Sequence, residues 1–217
     1  YYGLTMSHTR EFTAPLPRFI VFEGLDGAGT TTQSAELASR MRREGFTVVH
    51  GSEPTEGPIG LLIRRALRRE TILEPITLAY LYAADRHQHV RDSRSGILAA
   101  HEDGWIISDR YVYSSLAYQA LECPFDLVQS LNAPFPRPGT VVFLDTSPEV
   151  AAQRRSSRGN EELFDAMELQ KAIYDNYQRA FRLAEAEGTR VVAVDGNRQL
   201  EETADTIWKA LTNLPIF

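Results

Sequence analysis

The chain has 217 residues, 43% of them hydrophobic, which suits one α/β domain with a sizeable core. A formal net charge of -6 argues against general nucleic-acid binding but allows a local arginine cluster around an anionic substrate. A lone cysteine, Cys123, excludes a disulfide within the sequence and suits a reducing, cytoplasmic compartment, and no run reaches the length of a membrane span.

Residues 1–17 are polar, aromatic and proline-bearing, without the charged-then-apolar design of a signal peptide, and read as an extension before a domain over 18–217. Phe19-Ile20-Val21-Phe22 reads as a buried parallel strand. Thr31 to Glu44 carries Leu37, Ala38 and Met41 at helical spacing, and Gly45 is a natural C-cap. Phe46 to His50 reads as a second strand, Gly51 to Pro58 as a turn-rich loop. Ile59 to Arg69, Ile76 to Gln88 and a stretch from about Val90 to Glu102 read as helices. Trp105 to Ser108 is a strand ending at Asp109-Arg110-Tyr111, and Ser114 to Leu121 a helix. A short helix and proline-rich loop lead to the strand Thr140 to Leu144, which ends at Asp145. Pro148 to Arg155 is helical, and the charged segment of about 154–165 suits a mobile cover over a site. A long helix over Leu169 to Glu187, the strand Arg190 to Val194 and a closing helix from Glu201 complete the chain.

Five apolar strands alternating with helices predict a three-layer, doubly wound parallel sheet. Such sheets bind ligands outside the carboxyl ends of their strands, where Asp26, Glu53, Asp109, Arg110 and Asp145 fall and are expected to share one cleft. The stretch Gly24-Leu25-Asp26-Gly27-Ala28-Gly29-Thr30-Thr31-Thr32 joins the first strand to the first helix. Its spacing matches the phosphate-binding P-loop, in which backbone N–H groups and a helix dipole converge on an anion. Gly24 and Gly29 occupy the fixed glycines and Thr31 the magnesium-binding hydroxyl, but Thr30 stands where the lysine belongs.

Five signatures occur in order: Phe22 to Gly29, Glu53-Pro54, Leu81-Tyr82-Ala83-Ala84-Asp85-Arg86, Asp109-Arg110-Tyr111 with Ser114 to Gln119, and Leu144-Asp145-Thr146-Ser147-Pro148-Glu149. With them the chain resembles the thymidylate kinases, nucleoside-monophosphate kinases of the P-loop class, from about Arg18 onward. The resemblance implies transfer of a phosphoryl group from ATP, with Mg2+, to dTMP, and a homodimer through helices flanking the acceptor site. It implies that Gly24, Asp26, Gly27, Ala28, Gly29, Thr30, Thr31 and Thr32 hold ATP, with Thr31 and Asp109 placing the metal. Asp26 would bond the sugar 3′-hydroxyl, and Glu53 would sit beside metal and acceptor. Arg64 would reach the acceptor phosphate, and Arg110 would bridge the two substrates' phosphates; Arg65, Arg68 and Arg69 read as a solvated helix face. Tyr82 would stack on thymine, Arg86 and Ser115 would meet the base edge, Tyr118 would press where a ribose 2′-hydroxyl would lie, and Gln119 would line the same pocket.

Two departures touch the donor side: Thr30, and Glu162-Leu163-Phe164 where the family's lid carries an arginine. Losing such a cation costs about 10³ in rate by analogy with arginine fingers. Arg154, Arg155 and Arg158 are the nearby replacements, with Arg154 and Arg158 as catalytic candidates. An engineered substitution, a weakly active or non-catalytic thymidine-nucleotide-binding module, and a kinase for another deoxynucleoside monophosphate are the alternative readings.

Overall fold

The computed structural model describes residues 12–93, 96–156 and 167–213. Its elements run β1 (Leu16–Gly24), α1 (Thr30–Arg43), β2 (Val48–Ser52), α2 (Pro58–Leu67), α3 (Pro75–Arg91), α4 (Ile97–Asp103) and β3 (Trp105–Asp109). They continue with α5 (Val112–Tyr118), a single 3-10 turn, α6 (Phe125–Asn132), β4 (Pro138–Asp145), α7 (Pro148–Ser156), α8 (Met167–Ala186), β5 (Arg190–Asp195) and α9 (Leu200–Thr212).

The five strands form one parallel sheet in the order β2-β3-β1-β4-β5. Alternation along β1 divides the core between its two faces. Ile20 and Phe22 pack with Leu37 and Met41 of α1 and Ile207 and Leu211 of α9. Phe19 and Val21 pack with Leu116 of α5 and Ile173, Tyr177 and Phe181 of α8. Three layers follow, as the strand–helix alternation predicts. Helices α2 and α3 pair beyond the sheet through Ile63, Ala66 and Leu78.

Several boundaries differ from the pattern. β1 begins at Leu16, whose N–H bonds Arg137 O at 2.8 Å, ahead of the apolar run that announces it. β2 spans Val48–Ser52 rather than Phe46–His50, because the ladder with β3 carries Gly51 and Ser52 opposite Ser108 and Asp109 despite their turn preference. Phe46 drops out of the ladder and meets Trp105 edge-on, centroids 6.1 Å apart. Val90 and Arg91 finish α3 instead of opening the next helix, and α4 starts only at Ile97. In the stretch Ser114 to Leu121, residues Ser114 to Gln119 are buried in the core. Arg154 and Arg155 lie in α7, as the helix over Pro148 to Arg155 predicts, while Arg158 and the Glu162-Leu163-Phe164 step lie outside the described residues.

Candidate active site

The turn after β1 is shaped by two glycines with positive φ, 88° at Gly27 and 96° at Gly29. At Gly27 a side chain would also run into the carbonyl of Ala151, because α7 lies directly against the turn. α1 then starts at Thr30 without a side-chain cap, so its first N–H groups are available to an anion at the helix mouth. Thr30 itself is 95% buried: it is 5% exposed, with its methyl against the Gly24 backbone, and acts as packing where the motif expects a cation.

Parallel register brings the ends of β1, β2 and β3 level: Asp109 stands opposite Phe22 on one side and Ser52 on the other. The Thr31 hydroxyl donates to Asp109 Oδ2 at 2.5 Å. Asp109 Oδ1 is buried and has no hydrogen-bond partner among the described residues. A desolvated carboxylate oxygen with an adjacent hydroxyl is a donor set that fits magnesium, which takes few protein ligands and keeps waters and phosphate oxygens. No cluster of three or more His, Cys, Asp or Glu suited to a metal occurs among the described residues.

A cavity of about 390 Å³ opens beside this pair. Of the sequence-predicted residues, Asp26, Thr31, Glu53, Arg64, Tyr82, Arg86, Asp109, Arg110, Tyr118 and Gln119 line it. So do Ser52, Leu67, Tyr111, Ser114 and Arg68, the last of these read from sequence as solvated face; it is half exposed and pairs with Glu70 at 2.8 Å. Asp145 does not join them. It lines a separate cavity of about 820 Å³ at the ends of β4 and β5, with Glu149, Glu168, Asp175 and Asp195 as further carboxylates. The expectation that all five strand-end residues share one cleft fails there, because β4 ends on the far side of the P-loop from β2 and β3.

The acceptor wall is built on two charge networks. Arg86 is buried; its Nε donates to Glu53 Oε2 at 2.8 Å, Nη2 to Ser115 Oγ at 3.1 Å and Nη1 to Asn132 Oδ1. His89 Nδ1 lies 2.9 Å from the other Glu53 oxygen. Glu53 thus braces Arg86, and Ser115 lies behind the wall, orienting the same guanidinium rather than facing the cavity. Asp85 fixes the loop that carries Glu53: its two oxygens accept from Thr55 N and Thr55 Oγ1, both at 2.7 Å. Arg64 donates to the Pro54 carbonyl and to Glu56 Oε1 at 3.3 Å, so the same loop holds it at the cavity rim.

Arg110 anchors the second network. Its backbone sits at φ 70°, a costly conformation for a residue with a Cβ and one that recurs at functional sites. Nη2 donates to Asp26 Oδ1 at 2.6 Å; Nη1 donates to Gly24 O at 3.0 Å and to Ser114 Oγ and Tyr177 OH at 3.1 Å. The guanidinium lies 5.3 Å from the Tyr118 ring centroid. Burial opposes its charge, yet Tyr118, Asp26, Tyr177 and Asp109 together hold its pKa above the ordinary arginine value. Beneath it Glu23 is fully buried and accepts four hydrogen bonds, from Tyr111 N (3.0 Å), Ser114 N (3.2 Å), Ser114 Oγ (2.5 Å) and Tyr177 OH (2.9 Å). Burial pushes the Glu23 carboxyl up to about 7, against the lowering pull of Arg110 and of the Ser114 and Tyr177 donors. Glu23, Asp85, Asn132 and Tyr177 were not singled out from sequence. Only Glu23 and Asp85 lie inside a motif; Tyr177 carries no local signal.

On the other side of the P-loop a cavity of about 340 Å³ is lined by Gly27, Ala28, Gly29, Thr32, Arg154 and Arg198, among others. Arg154 Nη1 donates to Gly196 O at 2.8 Å and to Ala28 O at 3.4 Å, tying α7 to the loop after β5. One cavity therefore lies on each side of the glycine turn, as two-substrate transfer requires.

A family model described as thymidylate kinase matches residues 22–207. A protein of Methanococcus aeolicus named a probable thymidylate kinase is 33% identical over 202 residues, 92% of this chain and 98% of its own. One of Methanococcus maripaludis strain C6 with the same name is 37% identical over 191 residues, 88% of this chain and 89% of its own. A third, from Pyrococcus abyssi, is 38% identical over 167 residues, 73% of this chain and 80% of its own.

Proposed function

The chain belongs to the thymidylate kinase family, and from that premise we propose that it phosphorylates dTMP to dTDP with ATP and Mg2+ in the two cavities flanking Gly24–Thr31. The observation that carries this reading is the convergence of Asp26, Arg64, Tyr82, Arg86, Arg110 and Tyr118 on one cavity wall beside the Thr31–Asp109 pair.

In this reading the dTMP base lies against Tyr82, with Arg86 and Gln119 at its edge, and Tyr118 occupies the ground a ribose 2′-hydroxyl would need. Glu53 and Ser115 aim Arg86. Arg64 receives the acceptor phosphate at the rim, and Arg110, clamped between Asp26 and Ser114, neutralises charge between acceptor and donor. The acceptor phosphate is already anionic, so no general base is called for. One of its oxygens forms a bond to the ATP γ-phosphorus, the bond from that phosphorus to the β-bridging oxygen breaks, and the electron pair leaves with ADP. Magnesium, when bound through Thr31 and water held by Asp109, supplies charge neutralisation on the donor phosphates. The protein's part is positioning and electrostatics, which dominate phosphoryl transfer.

The measurement is ADP release from ATP-Mg, started by dTMP, dUMP or the ribonucleotide of thymine. The expected order of kcat/KM places dTMP first. Turnover with dTMP no faster than that of an Asp109→Ala variant refutes the reading. The family's homodimer is proposed for this chain on α3, where Ile76 is 44% and Tyr80 53% exposed. Light scattering giving the monomer mass at working concentration would refute it.

A further inference from the structure

The chain of contacts behind the acceptor wall does not end at Glu53. Gly51 lies inside β2 although glycine disfavours strands, and a glycine there often marks a place where another group comes close to the backbone. Here that group is the ring of His89: a Cβ added at Gly51 would stand 3.2 Å from its Nε2. His89 lies in the last turn of α3, three positions after Arg86 and so on the same side of the helix, with its side chain 12% exposed. The ring is held between Gly51 and Glu53, with Nδ1 2.9 Å from Glu53 Oε1. The other oxygen, Oε2, lies 2.8 Å from both Nε and Nη2 of Arg86. The backbone N–H of Glu53 donates to Asp109 O at 3.0 Å, so the carboxylate hangs from a fixed point at the end of the sheet.

We propose that His89 is a positioning residue for base recognition: through Glu53 it fixes the direction in which Arg86 presents its N–H groups to the acceptor base. Glu53 and Arg86 line the acceptor cavity and His89 does not, so His89 acts only through them. An ionised carboxylate can only accept, so the ring nitrogen that faces it carries the proton. Glu53 is buried, and without His89 its Oε1 would have no partner among the described residues. A buried carboxylate oxygen without a donor is costly, and the cost is relieved by turning the carboxyl so that both oxygens meet the guanidinium. That turn pulls on Nε and Nη2 together, against single contacts from Ser115 and Asn132 on the rest of the fork. By occupying Oε1, His89 leaves Oε2 alone to Arg86 and keeps the fork aimed. Gly51 completes the device, because a side chain there would press on the ring. The proposal rests on the kinase reading above and names what sets the base contact within it.

The test compares dTMP with 5-methyl-dCMP, which carries an amino group where thymine has its 4-carbonyl and lacks the proton on N3. Calorimetry of both and of ATP, with ADP release measured beside it, is run on the full chain and on His89→Leu, His89→Asn and Gly51→Ala. His89→Leu is expected to raise KM for dTMP about tenfold and to cut the preference for dTMP over 5-methyl-dCMP by about the same factor, with kcat and ATP affinity changed far less. His89→Asn puts an amide N–H at the same distance from the backbone as the ring Nδ1 and returns most of the preference. Gly51→Ala removes no hydrogen-bonding group, yet shifts KM in the same direction to a smaller extent. The proposal is overturned if His89→Leu keeps the parent's preference between the two nucleotides, whatever it does to stability. It is equally overturned if dTMP, 5-methyl-dCMP and ATP weaken alike, which is what a general loosening of the acceptor wall would do. A parent protein that shows the His89-dependent preference in calorimetry but never phosphorylates dTMP would sink the kinase reading and leave the role of His89 standing.

Discussion

Glu23 offers a test of the buried network that does not depend on substrate. Its carboxyl titrates from the ordinary 4.5 in the unfolded chain to about 7 in the fold, because burial penalises the charged form more than Arg110, Ser114 and Tyr177 favour it. The native state therefore holds a proton that the unfolded state has released, and stability falls with rising pH in that window. The contribution is present in full below pH 4.5 and is lost as pH passes through about 7. A displacement of this size corresponds to about 3 kcal/mol, a large share of the total for a domain of this kind. Glu23→Gln removes the titration while keeping the shape and an acceptor for the Tyr111 and Ser114 N–H groups. Urea unfolding of both proteins at several values between about pH 5 and pH 8 isolates the effect. The variant is expected to gain about 3 kcal/mol on the parent across that range, most of it below about pH 7. A difference between the two that stays flat with pH refutes the elevated carboxyl and the account of burial behind it.

Two further outcomes follow from the same geometry. Asp109→Asn keeps the contact with Thr31 but removes the charge that would orient magnesium-bound water; turnover should drop by about 10- to 100-fold and recover in part as Mg2+ is raised, and a drop indifferent to Mg2+ would count against the metal assignment. Arg86→Met leaves Glu53 in the core beside His89 alone, and should cost about 3–5 kcal/mol in urea unfolding. Glu53→Gln placed in the same protein should return much of that loss, whereas additive losses would show the pair to be uncoupled.

The alternation of apolar runs with helical periods was enough to foresee the sheet, since the inner strands β1, β3 and β4 are covered on both faces and write that burial into Phe19 to Phe22 and Val141 to Leu144. Elements whose burial is decided by partners were harder to see. Gly51 and Ser52 look like a turn and lie in β2 because β3 offers them a ladder. Ser114 to Leu121 reads as a helix, and its pattern does not say whether a partner or the core covers it; Ser114 to Gln119 are buried, with α8 packed in the same cluster. The acceptor residues stood out through motifs, but their supports did not. Tyr177 sits 154 positions from Glu23 and Asn132 46 from Arg86, and a single polar residue on a long helix has no local pattern to mark it.

The same limit explains the P-loop. A missing lysine shows in nine consecutive residues, because the motif is local and each position has a fixed chemical task. A replacement charge carries no such mark: it has only to arrive within reach of the turn, from any element the fold packs there. Arg154 and Arg155 are adjacent in sequence, and nothing in their order says which side of the turn each one reaches. The packing of α7 decides it: the Ala151 carbonyl lies where a side chain at Gly27 would stand, so the helix comes close enough for both arginines to reach the turn. Arg154 is turned toward the Gly196 carbonyl and Arg155 toward that of Asp26, 129 positions away. The packing of α7 on the P-loop therefore depends on the absence of a side chain at Gly27, and enlarging Gly27 would push α7 and both arginines off the turn without touching any charged group.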